Sequence, residues 1–186
     1  ELNLLSCPKN KLNILVLQQK DLINQMLTAT KSSRINISEE GKTKSIAEAF
    51  SKNVNLGDVL FFNGELGVGK TTFIKYLINF LQKKNNQIIT EIPSPTFNLI
   101  NEYHLDSIII KHYDLYRIID ERELDNLGIF ENINDQITLI EWPEITKNHK
   151  LENKIELFFE YDADYQDRFI SVSSTINNIS FLNEFK

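Results

Sequence analysis

Gly64, Gly69, Lys70 and Thr71 stand at the spacing G-x-x-x-x-G-K-[ST], within the stretch FFNGELGVGKTT. Each residue type suits one part of a phosphate-binding device. Successive backbone N–H groups in a glycine-rich loop form a concave nest for an anion, where side chains would crowd it. A helix that starts at the end of the loop adds unpaired N–H groups and a positive dipole end. Lys70 supplies a point charge for the β- and γ-phosphates, and the Thr71 hydroxyl suits Mg²⁺. Gly64, Glu65, Gly67, Val68, Gly69, Lys70, Thr71 and Thr72 are therefore candidate contacts for the phosphates of a nucleotide. Only six glycines occur in the chain, and three lie in this loop.

The elements around the loop must hold it in place. VLFFN (59–63) reads as a short buried strand before it. TTFIKYLINFLQKK after it repeats Phe73, Ile74, Leu77, Ile78 and Leu81 at helical spacing. Strand, glycine loop and helix make half of a parallel βαβ unit. Upstream, SEEGKTKSIAEAFSKNV reads as a helix capped by Ser38. Downstream, NLINEYHL and IIIKHYDLY read as a hairpin turning at Asp106-Ser107. ERELDNLGIFENI reads as a short helix, QITLIEW as a buried strand, and KIELFFEY with RFISVSS as a second hairpin. The predicted fold is α/β: a P-loop NTPase-like three-layer α/β/α domain with a mostly parallel central sheet and antiparallel hairpins.

Phosphate chemistry with a metal needs a carboxylate near the loop. Asp114 ends IIIKHYD and Glu141 ends ITLIE. Both should reach the sheet edge where ligands of α/β sheets collect. Chemistry alone does not divide the roles of metal ligand and water-orienting base between them. Thr96, in a loop braced by Pro93 and Pro95, is a candidate hydrogen-bond partner for a γ-phosphate. His112 shares a side with Asp114 by strand alternation, although a packed or exposed histidine is the plainer reading. Trp142 reads as a core residue by default, with packing near the nucleotide as its alternative. Cys7, His104 and His149 have no partners at metal-ligand spacing.

Composition bounds the rest. With 186 residues the chain can bury one substantial core. A single cysteine excludes an internal disulfide framework and fits a reducing, cytoplasmic setting. No run approaches the ~18 apolar residues of a membrane span. Net charge is −6, divided as +3 over residues 1–37 and −9 over the remainder. An acidic body lacks the electrostatic footprint of a direct nucleic-acid binder. Residues 1–37 read as a poorly ordered extension, with a transit segment as the alternative, and 38–186 as the P-loop ATPase domain.

GELGVGKTT, SPTFNLINEY, HYDLYRI, ELDNLGI and LIEWPE, in that order, resemble the TsaE (YjeE) family over about Ser38 to Ser173. The resemblance implies a P-loop ATPase required for threonylcarbamoyladenosine synthesis in tRNA. It implies that Thr71 and Glu141 ligate Mg²⁺ and that Asp114 serves hydrolysis as base or water-positioning residue. It further implies that Thr43 contacts the nucleotide and that Thr96 belongs to a mobile loop. The implied partners are TsaD, which transfers the threonylcarbamoyl group, and TsaB, its inactive structural relative; tRNA would be met only through them. Two other readings fit a P-loop. A small-molecule kinase would need an arginine lid, and only Arg34, Arg117, Arg122 and Arg168 are present, unclustered. A nucleotide-dependent regulatory module with little hydrolysis of its own would look the same in sequence.

Overall fold

A computed structural model describes residues 30–149, 151, 153–175 and 179–185. Four strands form the centre of the sheet. They are β3 (Val59–Asn63), β5 (Ile108–Asp114), β6 (Gln136–Glu141) and β7 (Lys154–Tyr161). Their spatial order is β7-β3-β6-β5, and every pairing among them is parallel. Parallel strands need cover on both faces, which is why β6 is buried at every position.

Antiparallel strands close the two sides, as the hairpin readings require. β4 (Ile100–Leu105) pairs with β5 beyond the turn at Asp106, whose φ is +51°. β8 (Arg168–Ser174) pairs with β7 on the other side. Two short strands, β1 (Thr30–Lys31) and β2 (Ile35–Asn36), add to β8 and complete an eight-stranded mixed sheet.

Side-chain alternation sends each strand's residues to two different cores. Leu60 and Phe62 of β3 meet helices α1 (Glu40–Asn53) and α2 (Lys70–Lys84), joined by Leu139, Leu157 and Phe159. Phe50, Phe62, Phe73 and Phe159 pack as edge-on and tilted aromatic pairs at 5.5–6.2 Å between ring centroids. Val59 and Phe61 face the opposite way, toward Tyr113, Leu115, Ile140 and the short helix α3 (Arg122–Asn126) with its buried Leu124. The third layer is thus one short helix with single 3₁₀ turns at Ile133–Asp135 and Pro143–Thr146.

Ser38 does not cap α1, contrary to the sequence reading. Glu39 is the N-cap residue, without a side-chain cap bond. The Ser38 hydroxyl instead donates to Asp167 at 2.8 Å and accepts from the Arg168 amide at 2.9 Å. A serine next to a neighbouring strand satisfies that strand's backbone before its own helix. Strand pairing also reaches back past Ser38, with Ile35 and Ile37 buried in the larger core. Residues 1–29, which hold most of the expected extension, lie outside the described residues.

Candidate active site

β3 delivers the chain to the glycine loop at the carboxyl edge of the parallel strands. Gly64 has φ +136°, and a Cβ there would stand 2.3 Å from the Phe159 carbonyl oxygen of β7. No side chain fits that gap, so the first glycine is fixed by the adjacent strand as well as by any ligand. Gly69, at φ +114°, is the left-handed residue from which α2 begins. Val68 between them is fully buried in the core, while Glu65 and Leu66 face solvent. The loop is pinned by one apolar side chain and offers backbone elsewhere.

The first intrahelical bond of α2 runs from the Phe73 amide to the Gly69 carbonyl. The amides of Lys70, Thr71 and Thr72 precede it and have no carbonyl of their own helix to meet. The first turn carries no acidic residue, so its positive end is not compensated by the helix itself. Lys70 is buried against the loop. Its ammonium donates to the carbonyls of Gly64 at 2.7 Å and Glu65 at 2.8 Å, and lies 3.9 Å from the Trp142 ring centroid. Burial lowers the Lys70 pKa, while Glu141, Asp114 and Glu144 pull it back up.

Asp114 and Glu141 are register partners at the ends of β5 and β6. The Thr71 hydroxyl lies 2.9 Å from both Glu141 oxygens, and His112 Nε2 lies 3.0 Å from Glu141 Oε1. Asp114 accepts from the Thr96 hydroxyl at 2.5 Å and from the Tyr116 amide at 3.0 Å. Its own amide donates to Leu99, which fastens the proline-braced loop to β5. Thr96 is also 2.7 Å from the Ser94 hydroxyl. The two carboxylates are therefore side by side but separately engaged, one with the helix threonine and one with the loop threonine.

Thr43 lies on α1, buried, and its hydroxyl donates to the Ile37 carbonyl at 3.4 Å. That contact ties it to the exit of β2 rather than to the glycine loop. Two residues that the sequence reading did not assign to the site stand beside the loop. Arg168 Nη1 is 3.9 Å from where a Cβ on Gly69 would lie, and the Tyr161 hydroxyl is 3.6 Å from the equivalent point on Gly67. Tyr161 and Tyr165 also line a recess of about 300 Å³ with Gly64 and Glu65. The larger cavity, about 410 Å³, lies around Asn55 and Asp58 at the opposite end of β3. His104 pairs with Glu102 at the surface, and His149 stacks on Phe130.

The comparisons with known proteins follow the same residues. A family model for threonylcarbamoyl adenosine biosynthesis protein TsaE matches residues 37–170. The chain belongs to the TsaE family. The tRNA threonylcarbamoyladenosine biosynthesis protein TsaE of Rickettsia typhi is 41% identical over 112 residues, 60% of this chain and 75% of the relative. The Bacillus subtilis TsaE is 32% identical over 144 residues, 77% of this chain and 86% of the relative. The crystal structure of Bacillus subtilis YdiB superposes with a TM-score of 0.61 at 26% identity, covering 84% of this chain and 93% of that one. The α/β fold and the TsaE role in tRNA threonylcarbamoyladenosine biosynthesis are thereby placed. No described helix is long and apolar enough to cross a membrane.

The donor set fits a hard, small cation. Among the described residues there is no cluster of three or more His, Cys, Asp or Glu side chains able to cage a metal. Thr71 and Glu141 offer a hydroxyl and a carboxylate in contact, at the start of a helix suited to phosphates. Mg²⁺ is commonly held by one or two such oxygens, with substrate phosphates and waters completing its shell.

Proposed function

We propose that this TsaE family chain binds Mg²⁺·ATP in the loop of residues 64–72 and hydrolyses it in the cytoplasm, in support of a tRNA-modifying complex with TsaD and TsaB. The observation that carries this reading is the adjacency of two separately engaged carboxylates at the mouth of the loop. The backbone of Gly67 to Thr72 cradles the phosphates, and Lys70 offsets their charge. Thr71 and Glu141 hold the cation, which neutralises charge developing on the phosphate oxygens. Asp114 orients the attacking water and accepts its proton. A nucleotide contact by Thr43 rests on the family resemblance alone, since its hydroxyl meets the Ile37 carbonyl. The net charge of −9 beyond residue 37 agrees with tRNA being held by the partners.

One observation favours a slow basal rate, as the regulatory-module reading requires. Thr96 donates its hydroxyl to Oδ2 of the carboxylate that must receive a water, and the Tyr116 amide donates to Oδ1, so a water at Asp114 competes with both. A partner that draws Thr96 away would complete the site. The deciding experiment is phosphate release from Mg²⁺·ATP, by the chain alone and with TsaB and TsaD. Stimulation by the partners, lost in Lys70→Ala, supports the ATPase. ATP binding without stimulation supports the regulatory module.

A further inference from the structure

His112 is a buried polar group beside Glu141 to which the proposed chemistry gives no role. It is fully enclosed in β5, opposite Leu139, and Leu139 shares its sheet face with Glu141 two residues on. The ring reaches diagonally across the strand pair and uses one nitrogen. Nε2 meets Glu141 Oε1 at 3.0 Å, while Nδ1 is buried with no hydrogen-bond partner. A carboxylate oxygen only accepts, so the ring hydrogen sits on Nε2 and points at Glu141.

This arrangement is costly as packing alone. An orphaned buried nitrogen destabilises, and a leucine of similar volume would fill the same space without one. What the histidine supplies is directional. The Thr71 hydroxyl has a single hydrogen and stands equally far from both Glu141 oxygens, so it does not choose between them. His112 does choose: it holds Oε1 and thereby fixes the rotation of the carboxylate plane.

We propose that His112 is a positioning residue for the Glu141 carboxylate. Its Nε2–H presets the orientation in which Glu141 and Thr71 together receive a divalent cation. This rests on the assignment of Thr71 and Glu141 as the Mg²⁺-holding pair. Hydrogen-bond partners of ligating groups are worth 10–100-fold in metal affinity, and His112 stands in that relation to Glu141.

The test measures nucleotide binding calorimetrically, in EDTA and across a Mg²⁺ titration, for the unaltered protein, His112→Leu and His112→Gln. Glutamine places an N–H donor near the Nε2 position. Removing the donor in His112→Leu should weaken the Mg²⁺ half-saturation by about 10–100-fold while metal-free nucleotide affinity stays within about twofold. His112→Gln should restore most of the loss. In a Glu141→Ala background, His112→Leu should cost nothing further in Mg²⁺ response. An unchanged Mg²⁺ response in His112→Leu, or an equal loss in His112→Gln, overturns the proposal. So does a matching loss of metal-free binding, which marks a purely structural role. His112→Met takes the place of the leucine variant if that chain does not fold. If the unaltered protein shows no Mg²⁺ dependence, the assignment of Thr71 and Glu141 fails first, and His112 falls with it.

Discussion

Thr96 and Asp114 are joined by a 2.5 Å hydrogen bond that spans the gap between a proline-braced loop and the end of a buried strand. Glu141, the register partner of Asp114, is reached instead by Thr71 from the start of α2. Two acidic side chains on neighbouring strands thus answer to two different parts of the molecule. Substitutions on the two sides should therefore separate binding from turnover.

Under the proposed function Asp114 orients water, and none of its hydrogen bonds reaches the glycine loop. In Asp114→Ala turnover should fall by ~100-fold or more, as for loss of a positioned base. ATP affinity should be retained. Parallel phosphate-release and calorimetric measurements read both, and loss of affinity matching the loss of rate would reject the division of roles.

At Gly64 the expected defect is one of folding. An alanine Cβ would press on the Phe159 carbonyl at 2.3 Å and adopt φ +136°. Steric overlap and backbone strain together should cost about 3 kcal/mol or more. Urea unfolding of Gly64→Ala without nucleotide measures this. A variant of normal stability that only binds ATP poorly would show that β7 yields more readily than the structure implies.

Tyr113 gives an alkaline signature. Burial, with Glu102 and Glu131 nearby, raises its pKa from 10.0 to about 12. The unfolded chain ionises this phenol near pH 10 while the folded chain keeps it neutral, so stability is full below pH 10 and declines between pH 10 and 12. Tyr113→Phe should lack that share of the decline. Because the buried hydroxyl has no partner, removing it should also raise stability by ~1 kcal/mol at neutral pH. Unfolding curves of both proteins across this range test the sign.

Trp142 is the chain's single tryptophan and lies over the Lys70 ammonium. Its emission should change when ADP fills the loop and draws the lysine charge toward phosphate. In Lys70→Met the resting emission should differ from the outset and respond little to ADP. A fluorescence titration of the two proteins suffices; an equal ADP response in both would detach Trp142 from the site.

Much of this arrangement is legible in the sequence because its signals are local. Strand, glycine loop and helix follow one another without interruption, and each hairpin carries its own turn residues. Asp114 and Glu141 could be placed together because each ends an apolar run that must be parallel and buried. The missing parts depend on strand neighbours, which periodicity does not reveal. The fit of Gly64 against Phe159, the diagonal from His112 to Glu141 and the approach of Arg168 to Gly69 all join residues far apart in sequence. Ser38 illustrates the limit: its spacing predicts a cap, but a neighbouring strand offers its hydroxyl better partners.

The seating of Gly64 against Phe159, with Val68 fixed in the core, bears on where motion can arise. A cradle clamped at both ends behaves as a stationary anvil. The opposite side of the site, residues 94–97, is held by hydrogen bonds through Thr96, Asn101 and Leu99 and by no core side chain as deeply buried as Val68. That segment leads directly into β4, the outermost strand on its side of the sheet, and carries the exposed ring of Phe97. The loop that carries Thr96 therefore joins the carboxylate of Asp114 to an exposed aromatic ring at that margin.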